Sequence, residues 1–528
     1  MPMDAACPIA TSDDLICQIA TLAPHGTPIT PAMAEQLQAA TQALMVLATA
    51  DGKLEQSPMT LAMERTVDLH REAAEKRLRG QRVLVTGGAG CVGSHLIPLL
   101  FGLGAMEISI ADLAVETGRT GMDSPGEGSP TGRLANYQVD IRDAAALDAV
   151  FAQVRPHVVF HLASIREPGR AEAVVREAIE TNVFGTRNVI SACLRHGVED
   201  AIYSSTGKCF AYVSDHVYTG SKKLAEAQWV AVARRSNSTR FRCTRFTHVM
   251  ENGVVTQDIL DGIAKGLVGL HGPDRYFNIQ NVRQAAHLLV NALALADQTP
   301  ADGFWAAVDL GWPVNTLELA LYLIQRSGKP VALHFLGVPK GYDEVFFRGQ
   351  FCWSGETVYH PLVNALEAPG GFGDHSGTMV GARVQPFSED ALAVELDLLK
   401  KALDDRTLDV VAVKAALNQA VCGLARTIFA AADLPCLIDV LWWGAAPAWA
   451  GTSTAEARRF EVVIHLLTDT VIAKLRQASG PMSMATRQKL EEVMQTLSLI
   501  PSLAAQSRSL EDLLEGSGTT TSMKAAVG

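Results

Sequence analysis

The sequence predicts an α/β protein: a doubly wound parallel sheet with a small mixed region attached, flanked by helical N- and C-terminal regions. Three observations predict it. From Gln81 onward, short apolar runs alternate with helical segments, as strands and helices do when helices cover both faces of a parallel sheet. The first run, Val83-Leu84-Val85, leads straight into a glycine-rich turn and then a helix. On either side of this stretch, apolar residues recur at helical spacing.

Residues 1–80 form the first helical region, with periodic stretches at Met33–Ala48 and Leu61–Leu78 and Pro24, Pro28 and Pro31 punctuating its start. Strands are expected at Val83–Thr86, Glu107–Ala111, Tyr137–Val139, Val158–Leu162, Ala201–Ser204 and Arg242–Arg245. The Gly/Ser/Pro-rich stretch Glu116–Gly132 reads as an exposed, mobile loop. The α/β domain spans 81–368, and its part from about 246 to 365 is the mixed, substrate-binding region. Residues 369–387, with Gly370, Gly371, Gly373, Gly377 and Gly381, read as a linker. A helical domain follows over 388–515, and the small, polar tail 516–528 is expected to be disordered. At roughly 150 residues per domain, a chain of 528 residues holds several such units.

The bulk composition excludes several classes. A net charge of −11 argues against nucleic acid as the main partner. Nine cysteines without a CxxC pair read as reduced thiols in a cytoplasm, and no metal site is expected. The N-terminus lacks a basic segment followed by an apolar one, so no signal peptide is expected. Lys414, Arg426, Asp433 and Asp439 interrupt the apolar stretch Val410–Gly451, which therefore reads as buried helices, with Trp442-Trp443 as core, and no membrane span is expected.

The turn after the first strand carries Gly87, Gly90, Cys91, Val92 and Gly93 in GxxGxxG spacing. Glycines let the backbone turn sharply and approach a pyrophosphate, and the following helix offers its N-terminal N–H groups. Alone, the triplet equally suits a tight turn in any α/β protein. Its context is that of a Rossmann dinucleotide site. Asp112 ends the second strand about twenty residues on, where an acid bonds a ribose 2′-hydroxyl and repels a 2′-phosphate, favouring NAD over NADP. Asp140-Ile141 closes the third strand within reach of an adenine. Leu162-Ala163-Ser164, after His161, are small enough at the fourth strand's end to run beneath the cofactor.

Further motifs follow in order: Glu177 through Asn182, Gly185 and Thr186; Tyr203-Ser204-Ser205-Thr206-Gly207-Lys208; Tyr218 through Lys222 to Glu226; Thr244-Arg245-Phe246; Asp274-Arg275-Tyr276-Phe277; and Val308-Asp309-Leu310-Gly311-Trp312-Pro313-Val314. The series resembles the extended short-chain dehydrogenases/reductases that act on nucleotide sugars. Within them it is most similar to the CapD-like polysaccharide-biosynthesis group, which includes 4,6-dehydratases and epimerases. The resemblance covers about residues 81 to 350.

The resemblance implies roles. Tyr218 and Lys222 match the Tyr-x-x-x-Lys pair; positions i and i+4 share a helix face, and a nearby ammonium favours the phenolate that takes a hydroxyl proton. Lys222 would also hold the nicotinamide ribose. Thr206 or Ser205 would bond the substrate hydroxyl, Lys208 would serve as a second base, and Asn182 would steady the backbone of the cofactor site. Arg245, the residue at 248 and Arg275 would face the sugar nucleotide. Dimerisation, as a homodimer or higher homo-oligomer, is likewise implied.

Two positions depart from the pattern. The group reads Ser-Thr-Asp-Lys where this chain has Ser205-Thr206-Gly207-Lys208, so the acid for a departing hydroxyl is missing. The nearby Tyr212, Asp215 and His216 are substitutes or ordinary loop residues. Its Arg-Phe-Gly-Asn strand reads Arg245-Phe246-Thr247-His248 here. Two functions follow from different classes. One is an NAD(P)-dependent nucleotide-sugar epimerase/dehydratase acting through a transient keto intermediate. The other is an altered homologue that senses NAD or a nucleotide sugar through its helical interaction domains.

Overall fold

A computed structural model describes residues 11–120, 132–356, 359–478 and 482–522. They fold into two compact units, each assembled from three chain segments. The larger comprises 68–246, 286–308 and the described residues from 344 on; the smaller comprises 11–67, 247–285 and 309–343.

The larger unit is built on a sheet of ten strands among the described residues. Its first seven in the chain are β1 (Arg82–Thr86), β2 (Glu107–Asp112), β3 (Gly118–Thr120), β4 (Arg133–Gln138), β5 (Val158–His161), β6 (Asp200–Thr206) and β7 (Arg240–Phe246). Across the sheet β7, β6, β5, β1, β2 and β4 run parallel in that order, and Gly303–Ala307 continues the parallel set beyond β7. The chain moves outward from β1 to β2 and β4, then crosses back to β5 on the other side. The β1–β5 crevice is thus the switch point where α/β sheets bind ligands, outside the strands' carboxyl ends. Every position of β5 and β6 is buried, as expected of strands covered on both faces.

The stretch expected to be a linker carries strands instead. Phe372–Gly373 and Met379–Arg383 form an antiparallel hairpin that extends the sheet beside Gly303–Ala307. Its glycines answer to packing: a Cβ at Gly381 would sit 2.2 Å from the ring of Phe372, which packs edge-on against Trp305.

The helix Val217–Arg235 is buried along almost its whole length. The sheet covers one side, where Trp229 Nε1 donates to Arg242 O at 2.9 Å. The C-terminal helix Val410–Ala431 covers another, and a Cβ at Gly220 would lie 3.3 Å from Val421. The helices expected as a separate domain therefore share one core with the sheet, from Leu84 and Phe241 through Leu417 and Leu441 to Leu510. The last helix, Ala504–Ser522, runs past Gly516, where disorder was expected; 523–528, like 121–131 of the expected loop, lie outside the described residues.

In the smaller unit, the helices Ser12–Leu22 and Pro31–Ala50 pack on the helices Val254–Lys265 and Thr316–Ser327 and the parallel pair Leu267–Leu270 and Ala332–Phe335. Thr41 Oγ1 donates to Leu37 O at 2.7 Å and accepts from Leu333 N at 3.0 Å, joining helix to strand. The N-terminal helices, expected as a region of their own, thus share a core with part of the mixed region. No helix among the described residues is long and apolar enough to cross a membrane.

The larger core contains a buried ion cluster. Arg245, at 1% exposure, spends its five N–H groups on Glu226, Glu367 and Leu362 O at 2.6–3.1 Å, with its guanidinium 3.8 Å from the Phe304 ring centroid. Burial opposes ionisation of Glu226, but Arg245 holds its carboxyl below the ordinary value. Arg245→Ala strands two buried carboxylates. It is expected to destabilise the larger unit by about 3–5 kcal/mol, measured by urea unfolding.

Candidate functional site

Each glycine of the turn after β1 is there for its own reason. Gly87 has φ +72°, and a Cβ on it would lie 2.5 Å from Ala163 N, in the chain leaving β5. Gly90 is the N-cap of the helix Cys91–Gly102, which Cys91 and Val92 open. A Cβ on Gly93 would lie 2.3 Å from Gly88 O, so only glycine lets this helix pack on the turn. The result is a cradle without side chains at a helix N-terminus, at the carboxyl end of β1.

Asp112, at the end of β2, accepts from Ala89 N at 3.1 Å and Ala114 N at 3.0 Å, which ties the strand end to the glycine turn. Asp140 turns to Arg142, accepting from its backbone N at 2.9 Å and from its guanidinium at 2.6 and 2.8 Å. Burial would raise this carboxyl, but Arg142 holds it below the usual range. Ile141 packs where a Cβ on Gly185 would lie, 2.7 Å away. Leu162, Ala163 and Ser164 line the end of β5, half-buried. Asn182 is fully buried. It accepts from Ile165 N and donates to Ile165 O and Ser221 Oγ, all within 3.0 Å. It braces the Ile165 backbone, just beyond the end of β5.

β6 and the helix Val217–Arg235 bring Thr206, Tyr218 and Lys222 to the same carboxyl edge. Burial pushes the Tyr218 phenol up to about 12, against a hydrogen bond to Thr206 that lowers it. Burial pushes the Lys222 ammonium down to about 8; its Nζ donates to Ser204 O at 2.9 Å and lies 4.3 Å from the Tyr203 ring centroid. Behind them His161 is fully buried, its ring nitrogens 2.7 Å from Thr86 Oγ1 and 2.9 Å from Thr186 Oγ1. Thr186 gives its own proton to Asn182 O, so Nε2 carries the ring hydrogen and Nδ1 accepts from Thr86. Burial first, and Lys222 second, lower His161 to about 3.

The substrate-facing expectations need correcting. Ser205 points away from Thr206, as strand alternation requires, and lies buried with its Oγ 3.2 Å from Cys209 Sγ. Arg245, with every donor engaged in the core, is not available to a substrate. His248 and Arg275 belong to the smaller unit, where His248 packs edge-on against Phe277 and Arg275 is exposed. None of the suggested substitutes supplies an acid. Tyr212 is buried against Phe429, and the exposed Asp215 pairs with His216 at 2.8 Å.

A carboxylate that sequence reasoning missed stands beside Lys208. Glu344 accepts from Lys208 Nζ at 2.8 Å, Thr219 Oγ1 at 2.7 Å and Ser214 Oγ at 2.5 Å. The only local signal was an acid just before the apolar run Val345-Phe346-Phe347. At Gly207, a Cβ would lie 2.1 Å from Leu362 Cδ2, so leucine fills the space beside Lys208.

The family model for polysaccharide biosynthesis proteins matches residues 83–352. The chain is similar to the probable polysaccharide biosynthesis protein EpsC of Bacillus subtilis, with 28% identity over 54% of this chain and 48% of that one. It is 26% identical to the capsular polysaccharide biosynthesis protein CapD of Staphylococcus aureus over the same shares. The chain thus spans about half the length of these curated relatives. It is 25% identical to a dTDP-glucose 4,6-dehydratase of Actinoplanes over 54% of this chain and 93% of that one. Among solved structures, the UDP-glucose 4-epimerase of Thermus thermophilus in complex with NAD aligns with 24% identity and a TM-score of 0.40, over 50% of this chain and 88% of that one.

His161 yields a pH prediction. Its folded pKa lies below the unfolded value of 6.5, so the folded state resists protonation there. The stability this provides is complete above pH 6.5 and is lost as pH falls toward 3. Its ring resonances are expected not to titrate between pH 5 and 8 by NMR. Urea midpoints are expected to fall from about pH 6 downward, less steeply in His161→Gln.

Proposed function

The chain belongs to the polysaccharide biosynthesis protein family, and we propose that it is an NAD(P)-dependent epimerase or dehydratase of a nucleotide sugar, working through transient oxidation of one sugar hydroxyl. The observation that carries this reading is the meeting of Thr206, Tyr218 and Lys222 at the sheet edge that also holds the glycine cradle. Gly87 lets the turn pass against the chain leaving β5 and Gly93 lets the helix pack on the turn, which together shape the cradle. The acid at 112 favours NAD over NADP, since it would repel a 2′-phosphate. When bound, the nicotinamide accepts a hydride from the sugar carbon and later returns it.

The chain's own residues handle the proton. Thr206 and Tyr218 receive the sugar hydroxyl, and Tyr218 takes its proton. A phenol raised by burial needs a cation nearby to ionise, and Lys222 is one turn along the same helix. The Ser204 carbonyl and the Tyr203 ring fix the lysine in place. Neutral His161 adds no competing charge beneath it.

A second reading, a sensor of nucleotide or nucleotide sugar, draws on Leu362 filling the place of the family's acid. One assay separates the two. Purified protein with NAD is offered UDP- and dTDP-sugars, and the products are read by mass spectrometry and NMR. Turnover is expected, and Tyr218→Phe is expected to lower kcat by about 10²–10⁴-fold while NAD binding persists. Tight NAD binding without turnover of any sugar would favour the sensor.

A further inference from the structure

The proton-transfer group next to Tyr218 is not the one the motif leads one to expect. A dehydratase needs an acid at the departing hydroxyl and a base at the neighbouring carbon. At 207 there is no acid, and Leu362 occupies the space one would need. At 208 there is a lysine, but it is held in an ion pair. Glu344, whose side chain is only 5% exposed, holds Lys208 Nζ at 2.8 Å from a point 136 residues further along the chain.

The pairing is well built. Glu344 also accepts the hydroxyls of Ser214 and of Thr219, the residue after Tyr218. Three donors converge on this one carboxylate, and its contact with the lysine is a charge-assisted hydrogen bond. A lysine in such an ion pair is an ammonium, with three donors and no lone pair to take a proton from carbon. The same carboxylate ties the Lys208 side chain, from the turn Gly207–Phe210, to Thr219 in the first turn of the Tyr218 helix.

We infer that Glu344 is a positioning residue that holds Lys208 as an ammonium, committing the site to epimerisation without loss of water. This rests on the oxidation–reduction chemistry proposed above. The steps balance without a further reagent. The hydroxyl proton goes to Tyr218 and the carbon's hydride to the nicotinamide. Both return to the same oxygen and carbon, the hydride from the opposite face, and the product is an isomer of the substrate. The Lys208 ammonium donates to the substrate throughout and is unchanged at the end.

The test uses the full chain with NAD and the panel of UDP- and dTDP-sugars. The wild type is expected to give a product of unchanged mass and inverted stereochemistry. Lys208→Arg keeps the charge but can never act as a base, and is expected to lower kcat by no more than about tenfold, against about 10²-fold for Lys208→Met. Glu344→Gln is expected to lower kcat by about tenfold or more at unchanged melting temperature, with Glu344→Asp recovering part of the loss. A wild-type product lighter by one water overturns the inference while leaving the proposed function standing. So does a Lys208→Arg variant as inactive as Lys208→Met, a result that stays informative if Glu344→Gln fails to fold. A folded Glu344→Gln with wild-type kcat and KM overturns it too. No turnover of any nucleotide sugar overturns the proposed function and this inference together.

Discussion

The helix Val217–Arg235 carries two lysines and a glutamate into the middle of the larger core. Desolvating a charge costs several kcal/mol unless a partner answers it. Here each is answered: Lys222 by Ser204 O and the Tyr203 ring, Lys223 by Cys209 O, and Glu226 by Arg245. These partners fix the helix in rotation and in register along its axis. The C-terminal helix Val410–Ala431 seals it from the other side, so its outer face is covered by its own chain. Tyr218, near the start, is the residue of its first turn left partly open. The rest of the site depends on that placement, because Thr206 and Lys222 meet Tyr218 only if the helix neither slides nor turns.

One segment, 344–367, does two jobs. Glu367 and Leu362 O complete the shell around Arg245, and Asn364 Nδ2 donates to Phe210 O at 3.0 Å, which pins the turn that carries Lys208. The same segment places the Leu362 side chain at Gly207 and Glu344 at Lys208. The surroundings of Lys208 and the shell around Arg245 are therefore built by the same segment. The cofactor side, built from β1, β2 and β5, is left as the glycine turn requires.

Much of this was legible in the sequence, and the rest was hidden for physical reasons. The apolar runs at Val83, Glu107, Val158, Ala201 and Arg242 are strands, because central parallel strands are apolar on both faces. β4 was expected at Tyr137–Val139 and runs Arg133–Gln138; it lies near the sheet edge, where polar residues are tolerated and the pattern blurs. The glycines of 370–381 read as a linker because glycine marks both loose chain and tight approach, and only the ring of Phe372 tells which. Arg245 is expected at the substrate only because Thr244-Arg245-Phe246 resembles the family's motif. Its partner Glu367 lies 122 residues away, and no local pattern reports a pairing at that distance. Glu344 was hidden for the same reason.

The interleaving of the two units has a consequence for how the chain is made. The helix Pro31–Ala50 leaves the ribosome before the strand that covers its apolar face. Leu333, whose N–H is taken by Thr41, is 292 residues further on. At about 5–20 residues per second, that face waits roughly 15–60 s for its partner. During that interval strands β1 to β7 of the larger sheet are synthesised, and neither unit can be finished before the chain returns to it. The nascent chain thus carries an uncovered hydrophobic surface through that interval, a natural client for holding chaperones and a place where slowed translation would do harm.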